Sequence, residues 1–212
     1  MPVFQVRHIS EHLSFCIWKI EENADLLKQK VRLSKQEREE LKNIQHVKRI
    51  KEWLGARAAL REISQAMKIT FKGTVKDEHK KPHLVGLPYH MSLSHSFPYA
   101  AAMVNKQAPC GIDIEKPKPA LFHVSNRFLS DKELVDIGRN PGHLCAAWAA
   151  KEVLLKIYGR KKLSFKNNIR LSPFELKPHG NIVGHIDLEM GTGTYTLEYF
   201  QVEDFVICYS AV

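Results

Sequence analysis

The phrase Leu33-Ser34-x-x-Glu37 recurs as Leu129-Ser130-x-x-Glu133, 96 positions further on, and this recurrence narrows the available folds more than any other feature. Each copy has the form of a capping box, in which a serine and the glutamate three residues later satisfy orphan N–H groups at a helix start. Trp53, in the helical run after the first box, has a counterpart in Trp148, 95 positions later. Two landmarks at nearly one offset point to a duplicated unit, with the halves meeting around residues 105–110. The expected architecture is α+β, a pseudo-twofold pair of similar α+β halves over residues 1–106 and 107–212. Capping boxes are common, so a chance recurrence is the alternative on these residues alone.

The local patterning agrees with such halves. Phe4 to Ile20 reads as strands, and Leu41, Ile44, Val47, Ile50, Leu54, Ala58 and Ile63 keep one helical face over a run from Ser34 to about Met67, with a break near Asn43. A lysine-rich loop from Lys76 to Pro82 precedes Met91–His95 and an apolar segment at Tyr99–Val104. Cys110-Gly111-Ile112-Asp113-Ile114-Glu115 reads as a short strand stopped by Pro117 and Pro119. The second capping box opens another helical run, and Tyr195 to Tyr209 returns to strand.

Charge and cysteine usage limit the function classes. A formal net charge of +9 favours polyanionic partners such as nucleic acid, anionic membrane, an acidic protein or a phosphorylated small molecule. Much of the basic excess lies on helix surfaces such as Lys48-Arg49-Ile50-Lys51 and in Arg160-Lys161-Lys162, without a nucleic-acid reading motif, so no nucleic acid is expected. No apolar run approaches a membrane span, and no apolar stretch follows Met1 in the manner of a signal peptide, so a cytoplasmic protein off the membrane is expected. Cys16, Cys110, Cys145 and Cys208 form no CxxC pair and sit among apolar neighbours, the pattern of reduced core thiols.

Asp113 and Glu115, one residue apart on the expected strand, share one face, with Ile112 and Ile114 on the other. The plain alternative is a solvated edge strand. On the helix from Leu144 to Tyr158, otherwise apolar or small, Trp148, Lys151, Glu152, Leu155 and Lys156 share one arc. Three charges on a largely buried helix need partners. A local Glu152–Lys156 pair is one account, though it leaves Lys151 unexplained. The other account takes the two elements together: Asp113, Glu115 and Glu152 as oxygen ligands for Mg²⁺, with Lys151 and Lys156 against phosphate oxygens. No P-loop or GxGxxG occurs in the chain.

Gly111-Ile112-Asp113-Ile114-Glu115, followed 33 positions later by Trp148-Ala-Ala-Lys151-Glu152-x-x-x-Lys156, resembles the two signature motifs of the Sfp-type 4′-phosphopantetheinyl transferases. Ser92-Leu93-Ser94-His95-Ser96 is similar to the family's third motif, and Lys81-Pro82 to the lysine-proline step of its coenzyme loop. The resemblance implies two α+β halves with coenzyme A and Mg²⁺ (or Mn²⁺) in a cleft between them. It implies transfer of 4′-phosphopantetheine to a serine of an apo acyl carrier protein or a carrier domain of a polyketide or peptide synthetase, by a monomeric chain. Asp113, Glu115 and Glu152 become metal ligands, Glu152 also the base, and Lys156 and Lys151 phosphate contacts. Ser94 and His95 meet the 3′-phosphate, Lys81 lies along the nucleotide, and Lys51 stands where the family's arginine is expected. Val153 departs from the small residue usual after the glutamate, and Glu37 and Glu40 stand where some relatives place lysines. A fold-retaining module that binds coenzyme A or a carrier without catalysis is the alternative from another class.

Overall fold

Each capping box of the repeat starts a helix in the computed structural model, which describes residues 3–160 and 163–210. Lys161 and Lys162 of the basic run lie outside the described residues. The chain is α+β and divides into two compact units, Met1–Cys110 and Gly111–Val212.

The first unit runs β1 (Val3–His8), β2 (Leu13–Lys19), α1 (Ala24–Lys30), α2 (Lys35–Lys42), α3 (Val47–Ala66), β3 (Thr74–Lys76), β4 (Pro82–Leu84), β5 (His90–Ser96) and β6 (Tyr99–Asn105). The helical run is divided where the sequence places the break, because Asn43 caps α2 and α3 begins afresh at Val47. The sheet is antiparallel in the order β1-β2-β6-β5, and β3 and β4 form a separate hairpin. β6 is buried along its whole length, and its Ala100-Ala101-Ala102 stretch is small enough for α3 to lie close. Gly55 on α3 is part of that approach: a Cβ there would stand 2.8 Å from the Ile20 side chain.

The second unit runs β7 (Ile112–Glu115), α4 (Ala120–Phe128), α5 (Asp131–Ile137), α6 (Pro141–Tyr158), β8 (Ile169–Leu171), β9 (His179–Leu188), β10 (Gly191–Val202) and β11 (Phe205–Ser210). Its antiparallel sheet has the order β7-β11-β10-β9-β8. Pro119, expected only as a breaker, is the N-cap of α4.

The two units repeat one plan. In each, a strand leads to a short helix, then the capping-box helix, then the long helix, and the last strand returns beside that leading strand, β6 against β2 and β11 against β7. The box glutamates extend the likeness into the core. Glu37 is buried and accepts from Ser34 N at 3.0 Å, Thr74 N at 2.9 Å, Thr74 Oγ1 at 2.6 Å and Arg57 Nε at 3.1 Å. Glu133 is buried and accepts from Ser130 N at 2.7 Å, Leu171 N at 2.8 Å and Lys151 Nζ at 2.9 Å. Each carboxylate thus joins its own cap, the long helix and the strand after that helix. A buried carboxylate is tolerable only with such a complete set of donors.

Gly111 opens β7 where α6 passes closest. A Cβ at this position would stand 2.6 Å from the Val153 carbonyl oxygen and 3.0 Å from Val153 Cγ1. Gly111→Ala therefore pushes the backbone beside Glu152 away from β7. We expect a loss of about 1–3 kcal/mol in urea unfolding, with a matching loss of whatever activity Glu152 supports. Unchanged stability would contradict this close packing.

Candidate active site

The site in the second unit rests on an edge strand and one helix. β7 is the end strand of its sheet and pairs with β11, placing Asp113 opposite Cys208 and Glu115 opposite Val206. The solvated-edge alternative does not hold for Asp113, which is only 3% exposed. α6 packs against both β7 and β11 and brings Glu152 and Lys156 to the same end. Trp148, one turn before Glu152, is fixed edge-to-face against Phe128 at 5.0 Å and Phe165 at 5.3 Å.

Lys156 acts on the Glu152 carboxylate electrostatically and also reaches across to β7. Its Nζ donates to Asp113 Oδ1 at 2.7 Å and to the Ile112 carbonyl at 2.9 Å, tying α6 to β7. Its side chain stays 24% exposed, so an anion can reach it from solvent. Lys151, for which the resemblance implies a phosphate contact, sits differently. Its side chain is 0% exposed, and Nζ donates to Glu133 Oε2 at 2.9 Å, the Phe165 carbonyl at 2.9 Å and the Ile169 carbonyl at 2.7 Å. An ammonium has three protons, and all three are engaged in the core. Burial lowers the Lys151 pKa, with Glu133 opposing the shift.

The carboxylates feel both burial and one another. Glu115 is pushed up to about 7, first by burial and then by Asp113, with Lys118 and Lys156 pulling the other way. Glu152 is raised by burial and by Asp113, with Lys156 opposing. A carboxylate raised in the fold is destabilising once ionised. The folded state holds the proton above the unfolded pKa near 4.3, so this contribution to stability falls as pH rises towards 7 and stays low beyond it. Glu115→Gln should therefore unfold at higher temperature than the unmodified protein at pH 8, by about 1–3 kcal/mol, and show little gain at pH 4.5. An equal gain at both pH values would contradict the assignment.

Among the described residues, no three His, Cys, Asp or Glu side chains are already gathered as a metal cluster. Asp113, Glu115 and Glu152 are oxygen donors whose mutual repulsion raises two of the three, and an added divalent cation would relieve that repulsion. The donor set therefore fits a hard cation such as Mg²⁺.

The remaining expected contacts lie in the first unit. Ser94 is nearly buried and His95 half-buried on β5. Lys81 precedes β4, half-buried, its pKa lowered by burial, and it depresses His90. Lys51 is half-buried on α3. Arg57, further along α3, is buried against Glu37, with its guanidinium 3.5 Å above the Trp53 ring. Sequence reasoning did not find Glu52, whose Oε2 lies 3.6 Å from His95 Nδ1. It also gave Glu37 and Glu133 only a capping role. Their signal was the box itself, repeated before two long helices that each carry a buried cation.

A family model described as the 4′-phosphopantetheinyl transferase superfamily matches residues 109–210, nearly all of the second unit. Residues 109–210 are similar to that superfamily. A 4′-phosphopantetheinyl transferase from Bacillus subtilis is 32% identical over 122 residues, covering 55% of this chain and 51% of the relative. The 4′-phosphopantetheinyl transferase Sfp of Bacillus subtilis (strain 168) is 31% identical over 119 residues, 53% of this chain and 50% of the relative. The 4′-phosphopantetheinyl transferase psf-1 of Bacillus pumilus is 35% identical over 86 residues, 38% of this chain and 36% of the relative. The chain spans about half the length or less of these curated relatives. The superfamily match covers Asp113, Glu115 and Glu152, together with Lys156.

Proposed function

We propose that this protein transfers the 4′-phosphopantetheine group of coenzyme A to a serine of an apo carrier protein, releasing adenosine 3′,5′-bisphosphate. The observation that carries the reading is the meeting of Asp113, Glu115, Glu152 and Lys156 on β7 and α6, inside the stretch that matches the transferase superfamily.

The division of labour follows the residues. In the second unit, Asp113, Glu115 and Glu152 would hold Mg²⁺ or Mn²⁺. When bound, that ion neutralises pyrophosphate charge and polarises the phosphorus under attack. Glu152, made more basic by burial, accepts the proton of the carrier serine hydroxyl. The serine Oγ–P bond forms at the β-phosphorus as the bridging P–O bond breaks, and the electron pair leaves on the adenosine bisphosphate. Lys156, reachable from solvent, offsets the charge that develops on that leaving group. Lys151 fixes the turn of α6 that presents Glu152 and touches no substrate. In the first unit, Lys81, Lys51, Ser94 and His95 contact the adenine nucleotide and its 3′-phosphate.

The net charge of +9 suits both the phosphates and an acidic carrier surface. A cytoplasmic site of action belongs to the same proposal, supported by four buried free cysteines. Among the described residues, no helix is long and apolar enough to cross a membrane. Both copies of the repeat are present in one polypeptide, so the proposal takes a monomer as the working unit.

The test is carrier-dependent release of adenosine 3′,5′-bisphosphate, followed by chromatography with Mg²⁺, Mn²⁺ or EDTA. We expect release with either metal and none with EDTA. Undiminished release in EDTA would remove the cation from the mechanism, and no release with any carrier would remove the transfer.

A further inference from the structure

Glu52 lies on α3, on the side that packs against β5, and its side chain is only 12% exposed. Its Oε1 accepts the Phe97 N–H at 3.3 Å, which fixes the carboxylate at the end of β5. Its Oε2 stands 3.6 Å from Nδ1 of His95, whose side chain is 28% exposed. A carboxylate held this way beside an imidazole does two things: it limits the ring to one orientation, and it favours the protonated ring. No such acid is needed to build the β5–β6 hairpin, since the strand ladder supplies its own hydrogen bonds.

We infer that Glu52 is a positioning residue for coenzyme recognition, orienting His95 and holding its proton so that the ring meets a terminal phosphate as a cation. The inference rests on the reading of His95 as a phosphate contact. Glu52 itself touches no substrate.

The groups around His95 allow this. From α3, the Glu52 carboxylate meets the ring, while Lys48 lies over the neighbouring Phe97 ring at 5.5 Å. β6 places Ala100 opposite His95. On β4, His83 is paired with Asp77 at 2.9 Å and engaged there. A negative charge beside a phosphate contact would weaken binding if it acted alone. It strengthens binding where it changes the ring from neutral to cationic, which happens in the pH range around and above the ordinary histidine pKa.

The test compares the unmodified protein with Glu52→Gln and Glu52→Asp by calorimetric binding of coenzyme A and of 3′-dephospho-coenzyme A from pH 6 to pH 8.5, alongside an NMR titration of His95. Gln keeps the bond to the Phe97 N–H and removes only the charge. In Glu52→Gln we expect the His95 pKa to fall and coenzyme A affinity to drop about three- to tenfold at pH 8. Little change is expected at pH 6 or for the dephospho compound, and Glu52→Asp should recover part of the loss. An unmoved His95 pKa, or coenzyme A affinity unchanged or improved at every pH, would overturn the inference alone. If the unmodified protein binds coenzyme A no better than its dephospho form, the placement of His95 on the 3′-phosphate fails first, and this inference fails with it.

Discussion

Glu152→Gln should lower the rate of carrier modification by about 10³-fold while the protein folds normally. Glutamine has the same shape but cannot accept the serine proton, and it is a poorer partner for a divalent cation. Folding should be unimpaired, because burial disfavours the ionised form of Glu152, and a neutral amide removes that cost. The two readouts are initial rate with a saturating carrier and the midpoint of thermal unfolding. A large rate loss with an unchanged or raised midpoint is the expected pair. A rate within tenfold of the unmodified protein would show that the proton goes elsewhere.

Glu133→Ala should have an effect of comparable size on stability. It leaves Lys151 buried with two carbonyl acceptors and no counter-charge, and it strips the N–H groups of Ser130 and Leu171 of their acceptor. Removing one member of a buried ion pair costs about 3–5 kcal/mol, a large part of the stability of an ordinary domain. The double variant Glu133→Gln with Lys151→Met should recover part of the loss, since no unpaired charge then remains in the core. Urea unfolding measures both. A Lys151→Met variant that keeps full stability and loses only phosphate binding would restore the phosphate contact that the structure removes.

How much of this was legible in the sequence depended on the range of the interaction. The capping boxes are local, four residues long, and both start helices with both reciprocal bonds in place. The two-residue period of Asp113 and Glu115 and the helical arc of Glu152 and Lys156 are likewise short-range, and the chemistry they imply follows from residue type. The same arc puts Lys151 beside them, although its side chain is buried elsewhere in the core. A helical wheel gives a direction but not what fills it, and Glu133 on α5 with the carbonyls of Phe165 and Ile169 lies at or before β8. Glu52 and His95 are 43 positions apart, and only the packing of α3 on β5 brings them together. The departure at Val153 also has its explanation in packing, because Gly111 opposite it leaves the room that a larger residue would take.

The most direct test of the central claim is the intact mass of an apo acyl carrier protein after incubation with this protein, coenzyme A and Mg²⁺, with Glu152→Gln and EDTA as controls. The account predicts a gain of one phosphopantetheine, located on a serine by fragmentation and absent from both controls. An unchanged carrier mass across fatty-acid, polyketide and peptidyl carriers, with coenzyme A still bound by the protein, would contradict the transfer and leave a binding module on the same fold.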